Sequence, residues 1–344
     1  MPQQSANKPL WWLFFCCISL GIGLVGRWLY NDETKLQWSD QSTITRAPLV
    51  TGSLLISPYG VWDTLLDQLA TTKRQLLGRH YAISYDKSLQ LLKTLADLWV
   101  DIQIIHEKEP YGQDQKAFNK LSKQLTHPWI KLTWDEALQI VFQHAKVRVG
   151  DDDFYVISSA NMTYPSFYAN REYRFIGHSL EIIKSLQHLF ALDSAWSRVT
   201  PSDIHPHLLF CPIDCRKKIS DALATATTSV WIAAQYLEDP ALIEQLALLS
   251  ASGVDVRILV SDNQRREGVE GVKQRMKTLP EPYLHAKELL IDHRLLLHGS
   301  MNLSTNALDN NREIGIMIDD PEVIQTFEMQ FGKDWERGEL KEKE

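Results

Sequence analysis

Cysteine is scarce in this sequence. Four residues among 344 cannot build the disulfide framework of a small secreted domain. Cys16 and Cys17 lie inside an apolar run, and Cys211 and Cys215 form a single C-x3-C with no second pair to complete a zinc site. The pattern predicts ordinary buried thiols; one local disulfide fits only a domain outside the cytoplasm. An excess of positive charge is also missing. Thirty-six basic residues against 43 acidic ones give a net charge of −7, so the whole-chain field does not favour nucleic acid. What the chain does have is apolar material. At 44% hydrophobic residues it can fill one large core or two of ordinary size.

One uncharged run stands apart, LWWLFFCCISLGIGLVG at residues 10–26. With its flanks it is about long enough to cross a bilayer. Trp11, Trp12, Trp28 and Tyr30 sit near its ends, where aromatic rings prefer the interface. A cleaved signal peptide is the competing reading, but Leu24 fits a small-residue cleavage site badly. Residues 1–35 are therefore expected to form an N-terminal single-pass membrane anchor and linker. Lys8 precedes the run while Arg27 and Lys35 follow it, so basic residues do not fix its orientation.

The rest of the chain repeats itself. HAKVRVGD at residues 144–151 and HAKELLID at 285–292 are 141 positions apart. At the same offset Ser159, Asn161, Asn170, Arg171 and Glu172 match Ser300, Asn302, Asn311, Arg312 and Glu313, too many identities for accident. Phe190 and Phe331 keep the offset inside helical-looking segments. Upstream, LLISPYGVWDTLLDQLATT (54–72) resembles LLFCPIDCRKKISDALATA (208–226): a short apolar strand, a proline, then an amphipathic helix. YAIS and VWIAAQY read as buried strands. SLQLLKTLADLWVDIQIIHEK and LIEQLALLSASGVDVRILVSDN each read as helix, turn and strand. The expected fold class is α/β: two similar halves, about 45–197 and 205–340, with mixed, mostly parallel sheets packed about a pseudo-two-fold axis. TPSDIHPH (200–207) is the connection.

Residue chemistry suggests a task for the paired motif. A neutral imidazole is a nucleophile toward phosphorus and, protonated, an acid, because its ordinary pKa of about 6.5 allows both states. Two histidines can act on opposite sides of one phosphorus: one attacks while the other protonates the departing oxygen. In a strand, positions i and i+2 face one way, so Lys146 joins His144 and Lys287 joins His285. The lysines are expected to neutralise phosphate oxygens, with Ser159, Asn161, Ser300 and Asn302 adding donors to the same anion. Glu172 and Glu313 are expected to orient the imidazoles, and Asp151 and Asp292 to hold the turns at the strand ends. No metal ligand set or cofactor motif is evident: His205 and His207 flank a linker proline and read as surface residues, and no carboxylate cluster joins His293 and His298.

H-x-K-x4-D followed by S-x-N and N-R-E, twice, resembles the phospholipase D superfamily. The resemblance implies two α/β halves sharing one active site, a metal-independent mechanism through a phosphohistidine, His144 as nucleophile and His285 as acid and base. One position departs from the pattern. Gly299–Ser300 in the second motif corresponds to Ser158–Ser159 in the first, which puts a side chain where backbone can approach the phosphate.

The anchor favours a phospholipid substrate, as in a phospholipase D or cardiolipin synthase-like enzyme that hydrolyses a phospholipid or transfers its phosphatidyl group. Trp129 and Trp134 in HPWIKLTW can either dip into the interface or pack on the sheet. The basic stretch 265–277 can meet an anionic substrate. The alternatives are a membrane-tethered metal-independent nuclease and a non-catalytic anion-binding membrane protein. Expected partners are the phospholipid membrane and a phosphodiester, with no obligatory protein partner and an extracytoplasmic catalytic domain.

Overall fold

The computed structural model describes residues 50–58, 62–110, 115–134, 140–264 and 268–340. The expected anchor and linker, and residues 265–267 of the basic stretch, lie outside the described residues. Among the described residues no helix is long and apolar enough to cross a membrane.

Two series of elements follow one another. The first runs β1 (Gly52–Ser57), α1 (Trp62–Ala70), β2 (Gln75–His80), α2 (Asp86–Asp97), β3 (Asp101–His106), α3 (Gln115–Gln124), β4 (Ile130–Trp134), β5 (Val147–Gly150), β6 (Phe154–Ser158), α4 (Tyr164–Tyr168), β7 (Asn170–Gly177) and α5 (Leu180–Ser194). The second runs β8 (Leu208–Cys211), α6 (Cys215–Ala224), β9 (Ser229–Ala234), α7 (Pro240–Ala251), β10 (Asp255–Ser261), β11 (Met276–Leu279), β12 (Tyr283–Leu284), β13 (Lys287–Ile291), β14 (Leu295–Gly299), α8 (Thr305–Asp309), β15 (Glu313–Ile318) and α9 (Pro321–Arg337). One sheet has the order β1-β7-β6-β5-β2-β3-β4 and the other β8-β15-β14-β13-β9-β10-β11, the same order in equivalent places. The short β12 leaves its own series and pairs in parallel with β7 of the other sheet.

Both sheets are mixed, but the expectation of mostly parallel pairing fails. Only β2–β3, β3–β4 and their counterparts β9–β10 and β10–β11 are parallel within each series. The strands carrying the repeated motif form antiparallel meanders, β5-β6-β7 and β13-β14-β15. The cause is local. Asp151 and Asp292 adopt left-handed backbone, φ 54° and 50°, so each strand folds straight back on itself. A second expectation also fails: YAIS is not a strand. The buried strand is the preceding β2, QLLGRH, whose polar end hid it. Arg79 and His80 are buried there because Asp193 pairs with the first and Arg148 donates to the second.

The two sheets enclose α5 and α9. Ile182, Leu186 and Phe190 of α5 and Val323, Phe327 and Phe331 of α9 join Ile157, Phe175, Leu290 and Ile314 in one core. Alternate residues of the same strands face outward: Leu76, Ile104 and Val156 pack beneath α2, and Val230, Ile258 and Leu289 beneath α6 and α7. Truncating a fully buried ring such as Phe327 typically costs about 3–5 kcal/mol. His298 adds a polar tie between the sheets. Its Nδ1 donates to Glu288 and its Nε2 to the carbonyl of Ile157, both buried.

Cys211 and Cys215 are not free thiols. The turn after β8 brings their Cα atoms to 5.0 Å, within disulfide reach, and a disulfide joins them.

The aspartates sit in the turns after β5 and β13 and tie them to the chain ahead of β2 and β9. Asp151 accepts backbone N–H bonds from Lys73, Arg74 and Gln75. Asp292 accepts from the N–H groups of Thr227, Thr228 and Ser229 and from both threonine hydroxyls. These bonds to the charged form outweigh the upward push of burial and hold its pKa at about 2. Asp292→Ala is expected to lower stability by about 2–3 kcal/mol, since several donors lose a charged acceptor at once. Urea unfolding checks this; a midpoint unchanged from wild type would contradict the role.

Candidate active site

Each histidine sits just before a motif strand and is held by the opposite half. The backbone N–H of His144 donates to the carbonyl of Arg312, and that of His285 to the carbonyl of Arg171. The side chains cross in the same way. Nδ1 of His144 donates to Glu313 at 2.8 Å, and Nδ1 of His285 donates to Glu172 at 2.9 Å. Such reciprocal contacts are the signature of a two-fold interface. Sequence spacing pointed to histidine–carboxylate pairs; the crossing comes only from the way the halves interlock.

The other letters of the motif build the carboxylates' surroundings. Ser159 Oγ donates to Glu172 at 2.7 Å, and Ser300 Oγ donates to Glu313 at 2.6 Å. Asn170 and Asn311 donate weakly, at 3.4 and 3.3 Å, to the same two carboxylates. The serines were expected to face the anion. They are fully buried, and their hydroxyls are engaged by the glutamates. Asn161 and Asn302 are half-buried, and among the described residues the carbonyl oxygen of each lacks a hydrogen-bond partner.

Lys146 and Lys287 are buried beneath the histidines. Lys146 Nζ donates to the carbonyl of His144, and Lys287 Nζ donates to the carbonyl of His285 and to Gln235 Oε1. The halves differ around them. Tyr81 packs edge-on against His144, with ring centroids 4.6 Å apart, and lies 5.2 Å from Lys146 Nζ. In the second half Gln235 holds the corresponding place, directly after β9 as Tyr81 is directly after β2. Tyr81 was missed because YAIS was read as a strand.

The electrostatics follow from burial. It lowers the pKa of His144 to about 4 against the upward pull of Glu313, and lowers that of His285 against Glu172. Burial likewise brings Lys146 to about 7 and Lys287 to about 8. Glu172 is pushed up by burial, but His285, Lys287 and Arg174 outweigh it and hold it at about 2; Glu313 is lowered in the same way. The charges of both lysines bear on each histidine, so the two motifs share one field. The lowered imidazole and carboxylate pKa values together favour Nδ1 as the proton donor and the glutamate as the acceptor. Among the described residues neither Nε2 has a hydrogen-bond partner, and the side chains keep 13% and 12% exposure.

The departure at Ser158 does not touch this site. A side chain at Gly299 would collide with Gly315, 2.6 Å from its Cα, and with Met301. The glycine serves packing across β14 and β15, and the first half replaces the pair Gly299–Gly315 by Ser158 opposite Arg174.

Residues 65–196 and 219–335 match the family described as "Cardiolipin synthase, PLD-like domain". Human mitochondrial cardiolipin hydrolase is 31% identical over 124 residues, covering 34% of this chain and 49% of its own length. Cardiolipin synthase A of Pseudomonas putida is 29% identical over 184 residues, 45% of this chain and 38% of the relative. The solved phosphatidylserine synthase of Haemophilus influenzae superposes with a TM-score of 0.61 at 13% identity, over 84% of this chain and 88% of that one, and so shares the fold. The matched regions span about half the length of the curated mitochondrial relatives, from 48% to 56%.

Proposed function

This chain belongs to the cardiolipin synthase, PLD-like domain family, and from that premise we propose that it is a membrane-tethered phosphodiesterase that hydrolyses a phospholipid or transfers its phosphatidyl group. The observation that carries the proposal is the crossed pair of histidines, each holding a free Nε2 beside two buried lysines. The names of the relatives, a cardiolipin hydrolase and a cardiolipin synthase, support lipid as the substrate class. The apolar run at 10–26 supports tethering, and the Cys211–Cys215 disulfide supports an extracytoplasmic catalytic domain.

The mechanism runs in two balanced steps. Nε2 of His144 attacks phosphorus, forming a P–N bond. The P–O bond to the headgroup breaks, and that oxygen takes a proton from Nε2 of His285. Water or a second alcohol then attacks the phosphohistidine, gives its proton to His285, and releases His144. Glu313 and Glu172 keep the Nδ1 protons in place and stabilise positive charge on each ring. Lys146 and Lys287, when protonated, place positive charge behind the phosphate, and Asn161 and Asn302 supply amide groups at its edge. An arriving phosphate anion opposes the desolvation that empties His285 of its second proton, so substrate itself prepares the acid.

The pH dependence has a definite sign. Above pH about 7, Lys146 loses the proton that gives it charge, and above about 8 Lys287 follows. His285, with its pKa lowered, also becomes harder to protonate as pH rises. Both effects push one way, so kcat/KM is expected to decline above pH about 7. A rate still climbing past pH about 9 would contradict this.

The proposal is tested with the full chain in detergent, given labelled phosphatidylcholine, phosphatidylglycerol and single-stranded DNA with chelator present. Lipid turnover without DNA cleavage is expected. DNA cleavage without lipid turnover would transfer the same chemistry to a nuclease.

A further inference from the structure

Arg171 and Arg312, the central residues of the two N-R-E motifs, are almost wholly buried, and each meets a carboxylate from the opposite half. Arg171 forms a two-pronged pair with Asp334 of α9: Nε to Oδ2 at 2.7 Å and Nη2 to Oδ1 at 3.0 Å. Its Nη1 donates to the carbonyl of Ser57 at the end of β1. Arg312 donates to Asp193 of α5 from Nη2 at 3.1 Å, its Nε lies at ion-pair distance, 3.0 Å, and its Nη1 donates to the carbonyl of Cys211 at the end of β8; Asp193 also forms an ion pair with Arg79. Asp193 and Asp334 are 141 residues apart, the offset of the histidines themselves. The two arrangements occupy equivalent places, two-pronged at Arg171 and single-bonded at Arg312, where Asp193 also serves Arg79.

The position of the device gives it a purpose. The carbonyl of Arg171 accepts the backbone N–H of His285, and the next residue, Glu172, accepts its Nδ1 proton. The carbonyl of Arg312 and the carboxylate of Glu313 serve His144 in the same way. Each half therefore grips the other's N-R-E strand twice, once with a histidine and once with a helix aspartate. A buried ion pair adds little to stability over a well-packed apolar pair, so stability alone does not explain its use. A two-pronged guanidinium–carboxylate pair does fix geometry. The distance between a general acid and the phosphorus it serves is a quantity on which an error of about 1 Å costs about 10²-fold in rate.

We propose that Asp334 and Asp193 are positioning residues: through Arg171 and Arg312 they lock the glutamates that aim His285 and His144 across the interface between the halves. The inference rests on the function proposed above for the catalytic rate, but not for the ring geometry.

The test uses full-length protein. Asp334→Asn alone leaves a buried guanidinium short of its counter-charge and can fail to fold. The decisive variant is therefore Arg171→Met with Asp334→Leu, which removes both charges together. Two readouts are taken: the Nδ1–H resonance of His285 in histidine-labelled protein, and steady-state kinetics on phosphatidylglycerol vesicles. The expected result is a thermal midpoint close to wild type, a Nδ1–H signal lost to solvent exchange, and kcat lower by about 10²-fold with KM little changed. A signal as slow to exchange as in wild type would overturn the clamp, as would full kcat in the double variant. If wild type turns over no phosphodiester, the proposed function falls, and the resonance alone decides the clamp.

Discussion

His144→Ala is expected to abolish phospholipid turnover, with a fall of at least about 10⁴-fold. The size follows from the number of tasks one ring performs. It supplies the attacking lone pair, carries the covalent intermediate, and takes up positive charge that Glu313 is placed to offset at 2.8 Å. No neighbour can replace it. Lys146 is turned to the carbonyl of His144, and Tyr81 meets the ring edge-on. His285 faces the other glutamate. The change should leave the fold intact, because the histidine is partly exposed and its backbone bond to Arg312 needs no side chain. Turnover and circular dichroism on the same sample check both parts. Activity within tenfold of wild type would remove His144 from the mechanism.

The second large effect is Glu313→Gln, for which a loss of about 10²–10⁴-fold is expected. Glutamine keeps the shape and can still accept from Nδ1, but it removes the negative charge that offsets the imidazolium formed during attack. It also sets an amide beside Ser300, whose hydroxyl donates to that carboxylate at 2.6 Å. The informative feature is where the damage appears. Glu313 belongs to the second half by sequence, yet its loss should impair formation of the intermediate on His144 of the first. Glu172→Gln should instead impair the proton steps of His285. Single-turnover kinetics separate the two. If Glu313→Gln slowed only the release step, the crossed assignment would be wrong.

Much of this was legible in the sequence because the repeat supplies its own control. One histidine with a lysine two positions on means little, but a second copy followed by S-x-N and N-R-E at the same spacing restricts the chemistry. The place of Asp151 and Asp292 at the strand ends could be read directly, but not their bonds to backbone N–H groups more than 60 residues upstream. What could not be read depends on contacts between distant segments. The pairing of His144 with Glu313 spans 169 residues, and no local pattern distinguishes it from pairing with Glu172. The serines were given to the substrate because spacing reveals that hydroxyls are near the site but not which side of the carboxylate they occupy. The strand β2 was hidden because Arg79 and His80 read as surface residues until Asp193 and Arg148 are seen beside them. Asp193 and Asp334 carried a signal that could have found them, their 141-residue offset, but an acidic residue in an amphipathic helix reads as solvated until its buried partner is known. The parallel sheet expected from alternating strands and helices gave way where the left-handed aspartates turn the chain back.

The proposal that both histidines act on one phosphorus is tested most directly by trapping the intermediate. Full-length protein is mixed with labelled phosphatidylglycerol, quenched in alkali within milliseconds, and digested for peptide mapping. The account predicts a phosphatidyl group on the peptide containing His144, absent from His144→Ala and longer-lived in His285→Ala. Steady turnover with no adduct on any histidine, or an adduct whose lifetime is indifferent to His285, would contradict it.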